Sequence, residues 1–255
     1  MVFRRASSQH TLCDDAKAFN SEARRRVAQF RASGNNVSDG DRILILGEDE
    51  NGKTDDLGSI LVKIDDTFSR INGQSDGSVR VRLLAPRPKG ADQEEELRSK
   101  NHSSTILNFA LSGGGQRDAG RLLTGGDAGV AIWDRLWERH QMRLDWLGYD
   151  ILLAPHHCSW HSLSYDSWSE CGENARVSQP ARAALSQTRK GAIVISSSKA
   201  VKDDDNDPPC IRAKREYEAI AKSAGGPFMC VGEYPTESNP GVMEFVSTFR
   251  QEHYA

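Results

Sequence analysis

The sequence predicts a layered α/β fold, because helical and strand patterns alternate along most of its 255 residues. Apolar residues recur at spacings of three and four over Asp14–Ala32, Ala128–His140, Pro180–Arg189 and Ala213–Ala224, the period of helices with one buried face. Short β-branched or leucine-rich runs separated by Gly, Asp and Asn fall between them. The most apolar of these, Tyr149–Ala154 and Ala192–Ser196, read as strands inside a sheet.

Taken in order, Ala16, Phe19, Ala23, Val27 and Phe30 form the stripe of the first helix, whose Arg24-Arg25-Arg26 run reads as a solvated face before it reads as a phosphate contact. Ser33–Asp41 is a loop. Arg42–Leu46, Ser59–Ile64 and Val79–Leu84 are expected strands, the last with Arg80 and Arg82 on a wet face. Pro86 and Pro88 close that section, and Ala91–Lys100 is a charged helical connector. Ser104–Leu111 and Arg121–Thr124 should pair around Gly113-Gly114-Gly115, and Phe228–Val231 and Val242–Val246 finish the chain as strands.

Composition excludes several classes. Net charge is −3 with 37% hydrophobic and 27% charged residues, so the surface is not broadly basic, although a local basic groove for nucleic acid is compatible with it. No apolar run reaches the ~18 residues of a membrane-spanning helix. Five cysteines, Cys13, Cys158, Cys171, Cys210 and Cys230, form no CxxC pair. They read as reduced thiols in a cytoplasmic protein rather than a disulfide or zinc framework. The N-terminal residues lack the apolar stretch of a secretory signal.

Three polar clusters lie where strands end: Asn101-His102-Ser103-Ser104, Thr124-Gly125-Gly126-Asp127-Ala128, and Pro155-His156-His157-Cys158-Ser159-Trp160-His161-Ser162. Loops after buried strands are where α/β proteins place reactive groups. Asp127 and the histidines are donors that zinc or manganese takes, and a carboxylate after one strand can share an ion with an imidazole after the next. Each has a plainer use. Asp127 is a good helix N-cap, which local sequence favours, and His156 and His157 fit as hydrogen-bonded groups at a strand end. Trp133, Trp137, Trp146, Trp160 and Trp168 flank these loops; core packing is the expected use, base stacking the alternative. Asp203-Asp204-Asp205 reads as a solvated loop.

The order of these clusters resembles the second half of the metallo-β-lactamase superfamily, in particular the hydrolase domains of DNA-internalisation competence proteins. The residues that carry the likeness are Val81-Arg82-Leu83-Leu84-Ala85-Pro86, Asn101-His102-Ser103-Ser104 and Leu122-Leu123-Thr124-Gly125-Gly126-Asp127-Ala128. They continue with Asp150-Ile151-Leu152-Leu153-Ala154-Pro155-His156-His157-Cys158-Ser159, Ile193-Val194-Ile195-Ser196 and Asn206-Asp207-Pro208. The likeness spans about residues 79–246.

The resemblance implies the C-terminal part of a four-layered αββα sandwich, with residues 1–78 a helix and short-strand remnant of, or insertion in, the first half, and 79–255 the second half. It implies a metal-dependent hydrolase acting on a phosphodiester, with a nucleic acid or nucleotide as substrate and two divalent ions, zinc expected and manganese the alternative. Asp127 would bridge the ions. His156-His157 would supply a ligand, the other histidine lying near substrate. Asn101, Ser104, Ser159 and His161 would brace the loops or meet substrate, one histidine of the 156–161 cluster protonating the leaving group.

Four positions depart from the pattern. The His-x-His-x-Asp-His signature that holds most ligands is absent, His10 being the only histidine before position 101. Cys158 replaces a glycine, Asp207-Pro208 replaces His-Pro, and Gly125 is additional. The chain therefore reads as a truncated metallohydrolase whose missing half-domain, a partner chain or self-association would complete it. The isolated polypeptide is expected to bind metal weakly and to be inactive. The competing expectation is a non-catalytic binding or interaction module.

Overall fold

A computed structural model describes residues 13–49, 52–71, 73–75, 77–86 and 104–245. It is a mixed α/β structure built on a seven-stranded sheet. The strands are β1 (Thr67–Phe68), β2 (Val79–Ala85), β3 (Ile106–Gly113), β4 (Gln116–Thr124), β5 (Tyr149–Leu153), β6 (Thr188–Ser196) and β7 (Phe228–Cys230), in the spatial order β7-β6-β5-β4-β3-β2-β1. The strands β4 to β7 are parallel, whereas β1, β2, β3 and β4 pair antiparallel in succession. Both edge strands are short: β7 pairs with Val194–Ser196 of β6, and β1 with Val81 and Arg82 of β2.

The helices are α1 (Asp14–Ser33), α2 (Val130–His140), α3 (Trp168–Cys171), α4 (Gln179–Leu185) and α5 (Ile211–Ser223). Helix α2 links β4 to β5, α3 and α4 link β5 to β6, and α5 links β6 to β7. Successive right-handed crossovers in one direction put their helices on one sheet face. That face holds the main core: Ile106, Leu123, Leu152, Ala192 and Val194 from the strands meet Trp133, Leu136, Ala184, Leu185, Tyr217 and Ile220 from the helices.

The opposite face is different. Register sets Phe109 of β3 in one row with Leu122 of β4, Ile151 of β5 and Ile193 of β6, and Leu107 and Leu111 lie on the same face of β3. None of these joins the helical core; Leu111 is 42% exposed and the other five are half-buried. Strands apolar on both faces normally carry cover on both. Here, among the described residues, the helices cover one, and on the other Val81 and Leu83 of β2, level with Phe109 and Leu107, are nonetheless fully buried.

A second, small cluster joins Ile45, Leu57 and Ile60 to Val27 and Phe30 of α1. The Arg24–Arg26 run of α1 is largely spent on ion pairs: Arg25 bonds Glu22 and Asp41, and Arg26 bonds Glu22 and the Arg42 carbonyl. The strands expected over Arg42–Leu46 and Ser59–Ile64 shrink to a two-residue parallel pair, Ile45↔Leu61 and Leu46↔Val62. The helix expected to reach Arg189 ends at Leu185, because Thr188 already pairs with Tyr149 and Arg189 bonds Asp150 at 2.7 Å. Residues 242–245 form no strand, and Val242 is 91% exposed, so nothing rewards extended pairing there. The Ala91–Lys100 connector and Asn101 lie outside the described residues. Among those described, no helix is long and apolar enough to cross a membrane.

Candidate functional site

The C-terminal ends of β4, β5 and β6 lie side by side, and three loops meet there. The first leaves β4 through Gly125 and Gly126. A Cβ on Gly125 would stand 2.6 Å from Pro155 Cγ and 3.0 Å from Trp133 Cζ2, so this glycine lets the loops after β4 and β5 close on each other. Gly126 takes φ +50°, the left-handed region, and its carbonyl accepts the His156 N–H at 2.8 Å. Asp127 follows. Its N–H donates to Ser104 Oγ at 3.1 Å, which ties the start of β3 to this loop.

Asp127 does not cap α2. The N-cap is Gly129, in extended conformation and without a side-chain cap bond, so the capping use that local sequence favours is not the observed one. Its half-exposed carboxylate turns instead to the loop after β5, where Oδ1 lies 3.6 Å from His157 Nε2.

His157 is oriented by its other nitrogen. Nδ1 lies 2.7 Å from the Ser197 carbonyl oxygen, which only accepts, so Nδ1 carries the proton. In the neutral ring, Nε2 then presents a lone pair to Asp127. Two acceptors facing each other at 3.6 Å invite a cation or a proton between them. The spacing is close to the ~3.4 Å span of two ligands about 2.0–2.2 Å from one tetrahedral ion. An imidazole that donates its far N–H to a carbonyl is the usual support of a metal-ligating histidine.

The backbone beneath is strained. His156, His157 and Cys158 take φ of 49°, 55° and 69°, three successive non-glycine residues in the left-handed region. Each such residue costs roughly 1–2 kcal/mol. Strain of this kind gathers where a loop must aim side chains in one direction. Cys158 is fully buried. Burial chiefly, with the neighbouring Cys210, pushes its thiol well above the usual range, while Ser196 pulls the other way.

The other expected residues divide. His156 is half-buried and engages Gly126 through its backbone. Ser159 is fully buried; its hydroxyl accepts the His161 N–H at 3.1 Å, giving it a part in the loop's own scaffold. His161 stays half-exposed, its Nε2 3.9 Å from Asp207 Oδ2. Asp207, which the sequence marked only by the proline after it, also accepts the Trp160 N–H at 3.1 Å and so holds the histidine loop from the far side. Trp133 and Trp160 are buried and bond the carbonyls of Ala128 and Asp166, which makes them packing groups rather than a stacking platform. In the acidic run Asp204 bonds Asn206 and Asp203 pairs with Arg215, all near the surface.

As a metal centre the arrangement is partial. Asp127 and His157 fit as two ligands of one ion. Among the described residues no group of three or more His, Cys, Asp and Glu side chains could hold a metal, so they do not build a dinuclear site. No family model matches the chain, and no curated protein or solved structure matches it either.

Proposed function

We propose that the chain contributes part of the active site of a metal-dependent hydrolase of metallo-β-lactamase type, acting on a phosphodiester of a nucleic acid or nucleotide. The observation that carries this reading is the His157–Asp127 pair, two acceptors face to face with the far nitrogen of the histidine fixed by Ser197. On this reading both are ligands of one divalent ion, zinc before manganese. Such an ion supplies water activation near neutral pH and stabilises charge on the phosphoryl oxygens. The chain's own residues do the positioning: Ser104 sets the Asp127 backbone, Ser197 holds the imidazole proton away from the ligand face, and His161 stands at the rim as the proton donor to a leaving group. Further ligands would come from a missing half-domain or a partner chain.

The same reading completes the fold as an αββα sandwich. The sheet face lined by Leu107, Phe109, Leu122, Ile151 and Ile193 is what a second sheet would cover, at the ~10 Å spacing of packed sheets. Working location is the cytoplasm, where unpaired thiols stay reduced. A second reading, a non-catalytic binding module, is favoured by the lack of any three-ligand group among the described residues.

Calorimetric zinc titration of the wild type, Asp127→Ala and His157→Ala, with a phosphodiester reporter assay, tests the proposal. The isolated chain should bind zinc weakly and turn over little substrate, and each substitution should weaken binding about tenfold or more. Zinc affinity unchanged in both variants would remove the metal pair. Two tightly held ions with turnover by the chain alone would show that the site is complete.

A further inference from the structure

Away from the site, one buried pair lacks partners. His140, the last residue of α2, is 1% exposed, and its Nε2 lies 3.4 Å from Asp65 Oδ1. Neither atom has a hydrogen-bond partner. Buried polar atoms are almost always bonded, so two orphans facing each other mark a contact held short of its best geometry.

Asp65 is where the small N-terminal unit meets the main sheet. It stands in a turn with φ +72°, its N–H donates to the Leu83 carbonyl at 2.7 Å, and the Leu83 N–H returns to Asp66 at 3.1 Å. The same turn is tied to the short strand pair, since Ile64 donates to Glu48. The charged groups that act on His140 are Asp65, Arg139, Arg143 and Arg82. Arg139 of α2 bonds the Asp65 carboxylate, and Arg82 of β2 bonds the Asp65 carbonyl. Arg82 and Arg143 stack on Trp146 at 3.7 and 4.6 Å from its ring centre, and that ring lies 5.4 Å from the imidazole. Arg121 and Asp145 complete the outer ring of charge around Arg82.

A proton on His140 would add a cation to a buried site that holds three arginines against Asp65. Arg139 already engages the Asp65 carboxylate, so, unlike half-exposed His157 beside Asp127, buried His140 gains too little from Asp65 on protonation to offset its lost water. Protonation therefore favours an arrangement in which the imidazole reaches solvent. We propose that the Asp65–His140 contact is a pH-operated latch, holding residues 52–66 against the end of α2 when His140 is neutral and releasing them when His140 takes a proton. Burial keeps the imidazole below its ordinary pKa; Asp65 opposes this, and Arg139, Arg143 and Arg82 reinforce it.

Hydrogen exchange of the full chain at pH 7.5 and 5.5, corrected for the intrinsic pH effect, tests the latch. Peptides from residues 52–66 should open about tenfold more at pH 5.5, while Gln116–Thr124 keeps its protection. His140→Gln should make the response flat. Equal or greater protection at pH 5.5, or the same acid loosening in His140→Gln, would overturn the proposal. Should that variant not fold, the His140 ring titration followed by NMR in the wild type must share its midpoint with the loosening; separate midpoints would equally overturn it.

Discussion

His157 presents Nε2 to Asp127 Oδ1 across 3.6 Å, with its Nδ1 proton held by the Ser197 carbonyl. The arrangement depends on three adjacent strands. Asp127 follows β4, His157 follows β5 and Ser197 follows β6, so the parallel order of the sheet brings together residues far apart in the chain.

Gly125 sets the distance between the first two loops. Gly125→Ala would drive a methyl to within 2.6 Å of Pro155, beyond what a packed loop absorbs. The expected loss is about 1–3 kcal/mol of stability, the usual cost of overpacking. Urea unfolding reads it, and a variant as stable as the wild type would mean the loops are free to part.

Neighbouring leucines of β4 should behave oppositely. Leu123 is fully buried under the helices, so Leu123→Ala should cost about 2–5 kcal/mol. Leu122 is half-buried on the other face, and Leu122→Ala should cost about 1 kcal/mol or less. Paired urea melts decide the matter. Equal losses would mean that both faces are covered.

The thiols separate by burial. Cys13 is exposed, whereas Cys158 and Cys210 are buried, and desolvation raises both thiols. A disulfide reagent at about pH 8 should label Cys13 in the native state and reach Cys158 and Cys210 only after unfolding. Native labelling of Cys158 would show that the histidine loop opens readily.

Much of this was legible beforehand. Helical spacing located α1, α2 and α5 to within a few residues, because each buries a face with that period. The apolar runs at Tyr149 and Ala192 marked the central strands, since each lies between two neighbouring strands and buries one face under the helices. What escaped was non-local. The Pro180–Arg189 pattern is helical by composition, but pairing of Thr188 with Tyr149 claims its end for the sheet. Asp127 carries a capping signal that Gly129 makes redundant. Which histidine faces Asp127 depends on three left-handed residues and the Ser197 carbonyl, and no spacing encodes either. The role of Asp207 depends on a loop almost fifty residues from Trp160, whose N–H it accepts.

The most direct measurement is anomalous diffraction at the zinc edge from crystals of the full chain grown with zinc. One ion is expected, bound by His157 Nε2 and an Asp127 carboxylate oxygen, each about 2.0–2.2 Å away, with His157 Nδ1 still on Ser197. Zinc bound elsewhere, or a direct His157–Asp127 hydrogen bond persisting at saturating zinc, would contradict it.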